Sequence, residues 1–317
     1  MSVTFNGAFT FSGGGFTATL APPSEATASW FGGGKANTGE LSTVQRITYA
    51  TDTATASIRG PLSSTRYQAA ATGNTTDGWF GGGNTPSNTS VDRITYATDT
   101  ATASVRGPLS SARKYLAASG NSTDGWFGGG YSAAPVSAPV SRVDRITFAT
   151  DTATASVRGP LSSARTKLAA TGNTTDGWFG GGAGSLSTVD RITYATDTAT
   201  ASVRGPLGSS KGYLAATGNT TDGWFGGGYS PNSSTVQRIT YATDTATASI
   251  RGPLSSARKY LAASGNSTDG WFGGGTTPGG GQSTVDRITF ATDTVTASVR
   301  GPLSLATWNL ASTSGIQ

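Results

Sequence analysis

Asp124-Gly125-Trp126-Phe127-Gly128-Gly129-Gly130 is one form of a phrase that the chain repeats. Its core, Trp-Phe-Gly-Gly-Gly, opens six times, at Trp30, Trp79, Trp126, Trp178, Trp224 and Trp271. Successive tryptophans are 49, 47, 52, 46 and 47 residues apart. A repeat of roughly 40–50 residues rich in strand formers is the mark of a β-propeller blade. Each third glycine is separated from the next Val-Asp/Gln-Arg-Ile-Thr by 9, 7, 12, 6, 7 and 9 residues in turn. When each of these is taken from its tryptophan spacing, 40 residues remain in all five intervals. All length variation therefore sits in one loop per repeat, and everything else is a fixed frame.

Residues 114–161 show how one repeat reads as four strands. Tyr115-Leu116-Ala117-Ala118-Ser119 is expected as a short strand, and Gly120 to Gly125 as a turn, with Asn121 and Asp124-Gly125 suited to positive φ. Trp126 to Gly130 forms the second strand, where alternation sends Trp126 and Phe127 to opposite faces, each toward a different neighbouring blade. The variable loop, residues 131–142, leads to a third strand from Val143 to Ala149. Thr150-Asp151-Thr152 turns into the outer strand, Ala155 to Arg158.

Only five of the six tryptophan strands follow a recognisable inner strand. Before Trp30 stand Pro22 and Pro23, which argue against one. The missing piece is at the other end: Trp308-Asn309-Leu310-Ala311-Ser312-Thr313 aligns with Lys114 to Ser119. The expected fold is all-β, a six-bladed β-propeller with four antiparallel strands per blade. Its ring closes when the C-terminal strand completes the first blade. Residues 29–317 make this single domain. Residues 1–28 are an N-terminal extension, in which Phe9-Thr10-Phe11 and Phe16-Thr17-Ala18-Thr19-Leu20 either pair with an outer edge or serve as an attachment segment.

Composition narrows the chemistry. The 317 residues include no cysteine and no histidine, which excludes thiol chemistry, Cys/His metal sites and histidine-dependent triads. No apolar run approaches a membrane span, and the N-terminus shows no signal-peptide pattern. The net charge of +5 comes with only 12% charged residues and no Lys/Arg cluster, so neither nucleic acid nor membrane insertion is expected. The 15 aspartates all fall in repeated slots: a turn (Asp151 and equivalents), the position before Gly-Trp (Asp124), and the position before Arg-Ile (Asp144). Gln45 and Gln237 replace that last aspartate in two copies. Catalysis needs one acid and one base set apart from a repeat, and no aspartate is. The Asp-box of six-bladed sialidases also fails, because Asp124-Gly125-Trp126 is contiguous. No enzyme activity, cofactor or metal is expected.

The order of features resembles the kelch repeat family over residues 29–313. Phe127-Gly128-Gly129 matches the glycine-pair strand, Val143 to Asp151 the third strand and turn, and Arg113 or Arg165 the basic residue before the next inner strand. The family's outer-strand tryptophan is absent, with Val157 in its place. The wording Gly-Trp-Phe-Gly-Gly-Gly, Ser-Thr-Val-Asp-Arg-Ile-Thr and Asp-Thr-Ala-Thr-Ala-Ser-Val-Arg-Gly-Pro-Leu-Ser is similar to kelch-like proteins of marine bacteriophages of the cyanophage type. That resemblance implies a virion or tail-associated component.

Two residue sets are candidates for binding. The first is the variable-loop face: Lys35, Asn37, Asn84, Asn88, Tyr131, Arg142, Tyr229 and Asn232, with the longest loop, 131–142, as the main contact element. The second lies between blades: Arg66, Arg113, Lys114, Arg165, Lys167, Lys211, Arg258 and Lys259. As a ring of cations at the channel mouth, these would attract a sulfated or carboxylated glycan. Arg46, Arg93, Arg145, Arg191, Arg238 and Arg287, within third strands, read as structural. The repeated Trp-Phe pairs read as blade core; their rival use is as sugar-stacking platforms. The functional expectation is a noncatalytic propeller, a phage virion or tail-associated adhesin. Its partners would be a host surface receptor or glycan and, through residues 1–28, other virion proteins. A lectin with repeated inter-blade sites and a pure repeat scaffold, engineered or excised, are the alternatives.

Overall fold

The computed structural model describes residues 9–12, 15–18, 26–84, 88–133, 137–184, 186–229 and 231–315. Among them are six four-stranded antiparallel sheets. Blade 3 shows the plan: Ala117–Gly120, Asp124–Gly128, Val143–Thr147 and Ser156–Arg158, from the axis outward. Consecutive inner strands lie against one another, and the sixth returns to the first. In blade 1, Ala311–Ser314 pairs antiparallel with Ala28–Gly32, so the chain ends share one sheet as expected. Phe9–Ser12 and Gly15–Ala18 pair with each other as a hairpin; Thr19 and Leu20 lie outside the described residues. Among the described residues no helix is long and apolar enough to cross a membrane.

Three glycines in a row serve different needs. A Cβ on Gly128 would stand 2.7 Å from the ring of Phe179, so the next blade's phenylalanine needs that gap. Gly129 and Gly130 turn the chain out of the sheet at φ 66° and 104°, a region costly for other residues. The second strand accordingly ends at Gly128, two residues earlier than the sequence suggests. The third strand ends at Thr147, and Phe148–Thr150 is a 3-10 turn.

Trp126 and Phe127 do face different neighbours. Phe127 packs with Trp79 of the preceding blade, while Trp126 packs with Phe179 of the following one. Trp126 stacks on Tyr194 of the following blade at 3.8 Å between ring centres, and its Nε1 donates to Asp197 Oδ2 at 2.8 Å. The same aspartate takes Arg145 Nη1 at 3.1 Å and faces Arg158 Nε at 3.4 Å. All six interfaces repeat this clamp, Trp271 closing the ring on Tyr49 and Asp52. Each stacked pair contributes about 0.5–1.5 kcal/mol beyond its burial. The turn aspartates are thus interface residues, and the third-strand arginines have the structural role expected of them.

Candidate binding face

Ion pairing separates the frame from the face. Among the described residues, all 15 aspartates and 16 of the 17 arginines are within ion-pair distance of a partner. The other charged residues of the sequence are Arg142, five lysines, Glu25 and Glu40. Sixteen against fifteen leaves one positive charge in the frame; six against two leaves four of the net +5 elsewhere. Every one of those six cations lies in or beside a variable loop.

The local pairing explains why. The first residues of each variable loop run antiparallel to the connection that enters the same blade. Arg113-Lys114 pairs with Tyr131-Ser132, and Lys35 with Trp308, Tyr67 with Asn84, Gly212 with Tyr229 and Lys259 with Thr276 do the same elsewhere. Connections and loops therefore share one face, as expected. The proposed cation ring on that face needs correction. Arg66, Arg113, Arg165 and Arg258 are buried, each against an aspartate of its own blade: Asp92, Asp144, Asp190 and Asp286. Arg113 Nη1 also donates to the Gly129 and Arg142 carbonyls at 2.7 and 2.9 Å. Burial pulls all four guanidinium pKa values down, opposed by the paired carboxylate. These side chains hold the blade together and do not face a ligand.

Lys211 is the fifth correction. It fills the arginine slot of blade 5, where Gln237 stands in place of aspartate. Its buried ammonium donates to Ser233 Oγ at 2.6 Å, and burial lowers its pKa to about 8. In blade 1 the same two slots hold Thr307 and Gln45. Wherever the carboxylate is lost, the guanidinium is lost too.

The four other lysines meet aromatics. Lys114 Nζ lies 5.8 Å from the Tyr131 ring centre, Lys259 Nζ 4.2 Å from Tyr229, and Lys35 Nζ 5.5 Å from Tyr67. Tyr229 is 49% exposed, and Arg142 is exposed with Nη1 on Ser110 Oγ at 3.2 Å. Tyr131 is held more closely than expected, its hydroxyl donating to the Ser137 carbonyl at 2.6 Å. Asn37 is exposed at a turn, Asn84 donates to the Tyr67 hydroxyl, and Asn88 accepts from the Ser90 amide at 2.8 Å. Asn232 is half-buried, and its Oδ1 has no hydrogen-bond partner. Residues 85–87, 134–136, 185 and 230 of the loops lie outside the described residues.

At the centre of the face is a set that strand alternation does not reveal. Gln68, Tyr115, Lys167, Tyr213, Tyr260 and Asn309 each sit one residue before the inner-strand Leu or Ala, at φ between 55° and 64°. Their backbones form a closed circle: each N–H donates to the carbonyl of its counterpart in the preceding blade, at 2.8–3.0 Å, six times around the axis. Tyr115, assigned to a strand on its sequence, is therefore left-handed, and the strand begins at Ala117. Left-handed backbone is unfavourable for bulky side chains, and such strain concentrates at functional sites. Of the eight cations first assigned to the mouth, Lys167 alone reaches this circle.

The six side chains help line an axial cavity of about 130 Å³. Lys167 Nζ stands 4.4 Å from the Tyr213 ring centre and 5.2 Å from Tyr115. Tyr213 meets Tyr260 edge to face at 4.3 Å. Burial, followed by neighbouring tyrosines, raises the pKa of Tyr115, and burial pushes Tyr260 up to about 12. A small-residue tube of Ala71, Ala118, Ala170, Ala216, Ala263 and Ser312 continues below. Among the described residues, no three Asp or Glu gather as a metal site. The chain matches no known family model and no curated protein.

Proposed function

We propose that this is a noncatalytic, kelch-like binding propeller that uses its variable-loop face to engage a host-surface receptor or glycan. The phage resemblance of its repeats suggests a virion or tail-associated adhesin as the setting. One observation carries the reading: all length variation, most of the excess positive charge and six of the ten tyrosines share a single face. The frame, by contrast, ties up its own charges. A noncatalytic role is supported by the aspartates, each already held by an arginine. The tryptophans are buried at every blade interface, which removes them as sugar platforms and disfavours a lectin with six inter-blade sites.

The loop test replaces residues 131–142 with the six-residue counterpart 183–188. Labelled protein is then measured for binding to a panel of marine cyanobacterial cells. The reading expects binding to fall while the unfolding transition stays in place; undiminished binding by the loop-swapped protein would sink it.

A further inference from the structure

The axial circle breaks the sixfold repeat at the one slot whose six side chains meet on the axis. After it the sequence hardly changes: Leu follows in five of six copies, and small residues line the tube. At the circle itself the six residues are Gln, Tyr, Lys, Tyr, Tyr and Asn. All six pay the strain of a left-handed backbone, and none is the glycine that would relieve it. The side chains, rather than the backbone, are what this position retains.

Their chemistry is complementary to one kind of ligand. Lys167 forms no ion pair among the described residues, and its ammonium lies over the rings of Tyr115 and Tyr213. Gln68 is only 9% exposed; its Nε2 donates to the Tyr115 hydroxyl, and its Oε1 is buried without a hydrogen-bond partner. A buried acceptor left open calls for a donor. Tyrosine rings give apolar faces for C–H groups, and the amide of Asn309 adds a donor and an acceptor. The cavity, about 130 Å³ and lined by all six circle residues, is a single site on the axis.

We infer that the axial cavity is a single site for the terminal acidic sugar of a glycan. In it, Lys167 pairs with the acid group, Gln68 Oε1 accepts from a ring hydroxyl, and Tyr115, Tyr213 and Tyr260 cover the ring. This rests on the loop face being the binding face, and it sharpens that reading to one site per chain. The pseudo-sixfold frame supplies six equivalent positions, and the side chains make only one of them cationic.

The experiment is calorimetric titration of the full chain with methyl β-glucuronide, methyl β-glucoside, N-acetylglucosamine 6-sulfate and acetate. The glucuronide is expected to bind at one site per chain, with the neutral glucoside at least tenfold weaker. If the sulfated sugar replaces the glucuronide as the better ligand, the acid group is a sulfate and the inference stands. Lys167→Gly, which suits the left-handed backbone and so spares the fold, should weaken acidic-sugar binding at least tenfold. Lys211→Met, outside the site, should leave it unchanged. Acetate binding as tightly as the glucuronide would reduce the site to a bare anion hole and overturn the sugar assignment. So would six sites per chain, no saturable binding of either acidic sugar, or full binding by Lys167→Gly. If the sugars fail while cell binding still depends on loop 131–142, the axial inference falls alone and the loop face survives.

Discussion

Asp144→Gln is the most direct test of how the frame is held. Asp144 and Arg113 are both 0% exposed, their closest contact 2.7 Å. The carboxylate also accepts from the Ser110 amide and hydroxyl at 3.0 and 2.7 Å, so it fixes the connection between blades 2 and 3 as well. Glutamine keeps an acceptor for the serine, as Gln237 does for the Ser209 amide at 3.1 Å. It leaves Arg113 charged and buried, with only the carbonyls of Gly129, Arg142 and Phe127 as acceptors. Removing one partner of a buried pair costs about 3–5 kcal/mol. The three carbonyls place the expected cost near the lower end, ~3 kcal/mol. Blade 5 supplies the compensation already installed in this chain, lysine beside glutamine. Adding Arg113→Lys should therefore recover about half of the loss, a coupling energy of at least ~1.5 kcal/mol in a double-mutant cycle. Urea unfolding followed by the fluorescence of the six buried tryptophans measures all four proteins. A cost below ~1 kcal/mol for Asp144→Gln, or two substitutions that simply add, would refute the argument.

Tyr49, Tyr96, Tyr194 and Tyr241 stack on tryptophans, and burial raises all four pKa values far above the usual 10.0. The folded chain then holds more protons than the unfolded one above pH 10, so stability is flat below that pH and falls as pH rises past it. Tyrosinate absorbance at 295 nm from these four should rise in one step with the loss of circular dichroism; a gradual rise in a folded protein would contradict the stacking. Lys211 acts in the opposite sense. With its pKa lowered to about 8 from 10.5, the folded state sheds a proton first, and this group adds stability as pH rises through that interval. Lys211→Met should accordingly raise the urea midpoint at pH 7, with the gain shrinking by pH 9.5; a gain independent of pH would mean the ammonium carries no burial penalty. At Lys167, where φ is 64°, glycine should be more stable than alanine by about 1 kcal/mol, the reverse of the usual order, as thermal unfolding of the two variants would show. Alanine equal to or above glycine would remove the strain.

The fold was legible because a fixed frame of 40 residues repeats and only Trp308 to Thr313 can supply the absent inner strand. The opposed packing of Trp126 and Phe127 followed from alternation alone. The buried Asp–Arg pairs were written in the sequence as well, but across two distant slots read together. Gln45 and Gln237 stand in the very blades whose partner slot holds Thr307 and Lys211. Taken one slot at a time, Arg66 and Arg113 look like surface cations, because a local basic residue does not reveal a carboxylate 26 or 31 positions away. The axial set was hidden for a different reason. Tyr115 is a strand former by propensity and directly precedes a strand. Its left-handed backbone arises from the hydrogen bond to the neighbouring blade, a tertiary constraint that no window around residue 115 contains.

The seam in blade 1 bears on how such a chain changes over generations. Near-identical repeats invite unequal crossing-over, which adds or deletes whole units in frame. If each end of the chain were a complete blade, closure would rest on two outer surfaces with no strand shared between them. Here Ala28–Gly32 and Ala311–Ser314 are complementary halves of one sheet, and neither is lost when an interior unit is duplicated or removed. Crossing-over between unequal loops also exchanges loop lengths while leaving the frame in register.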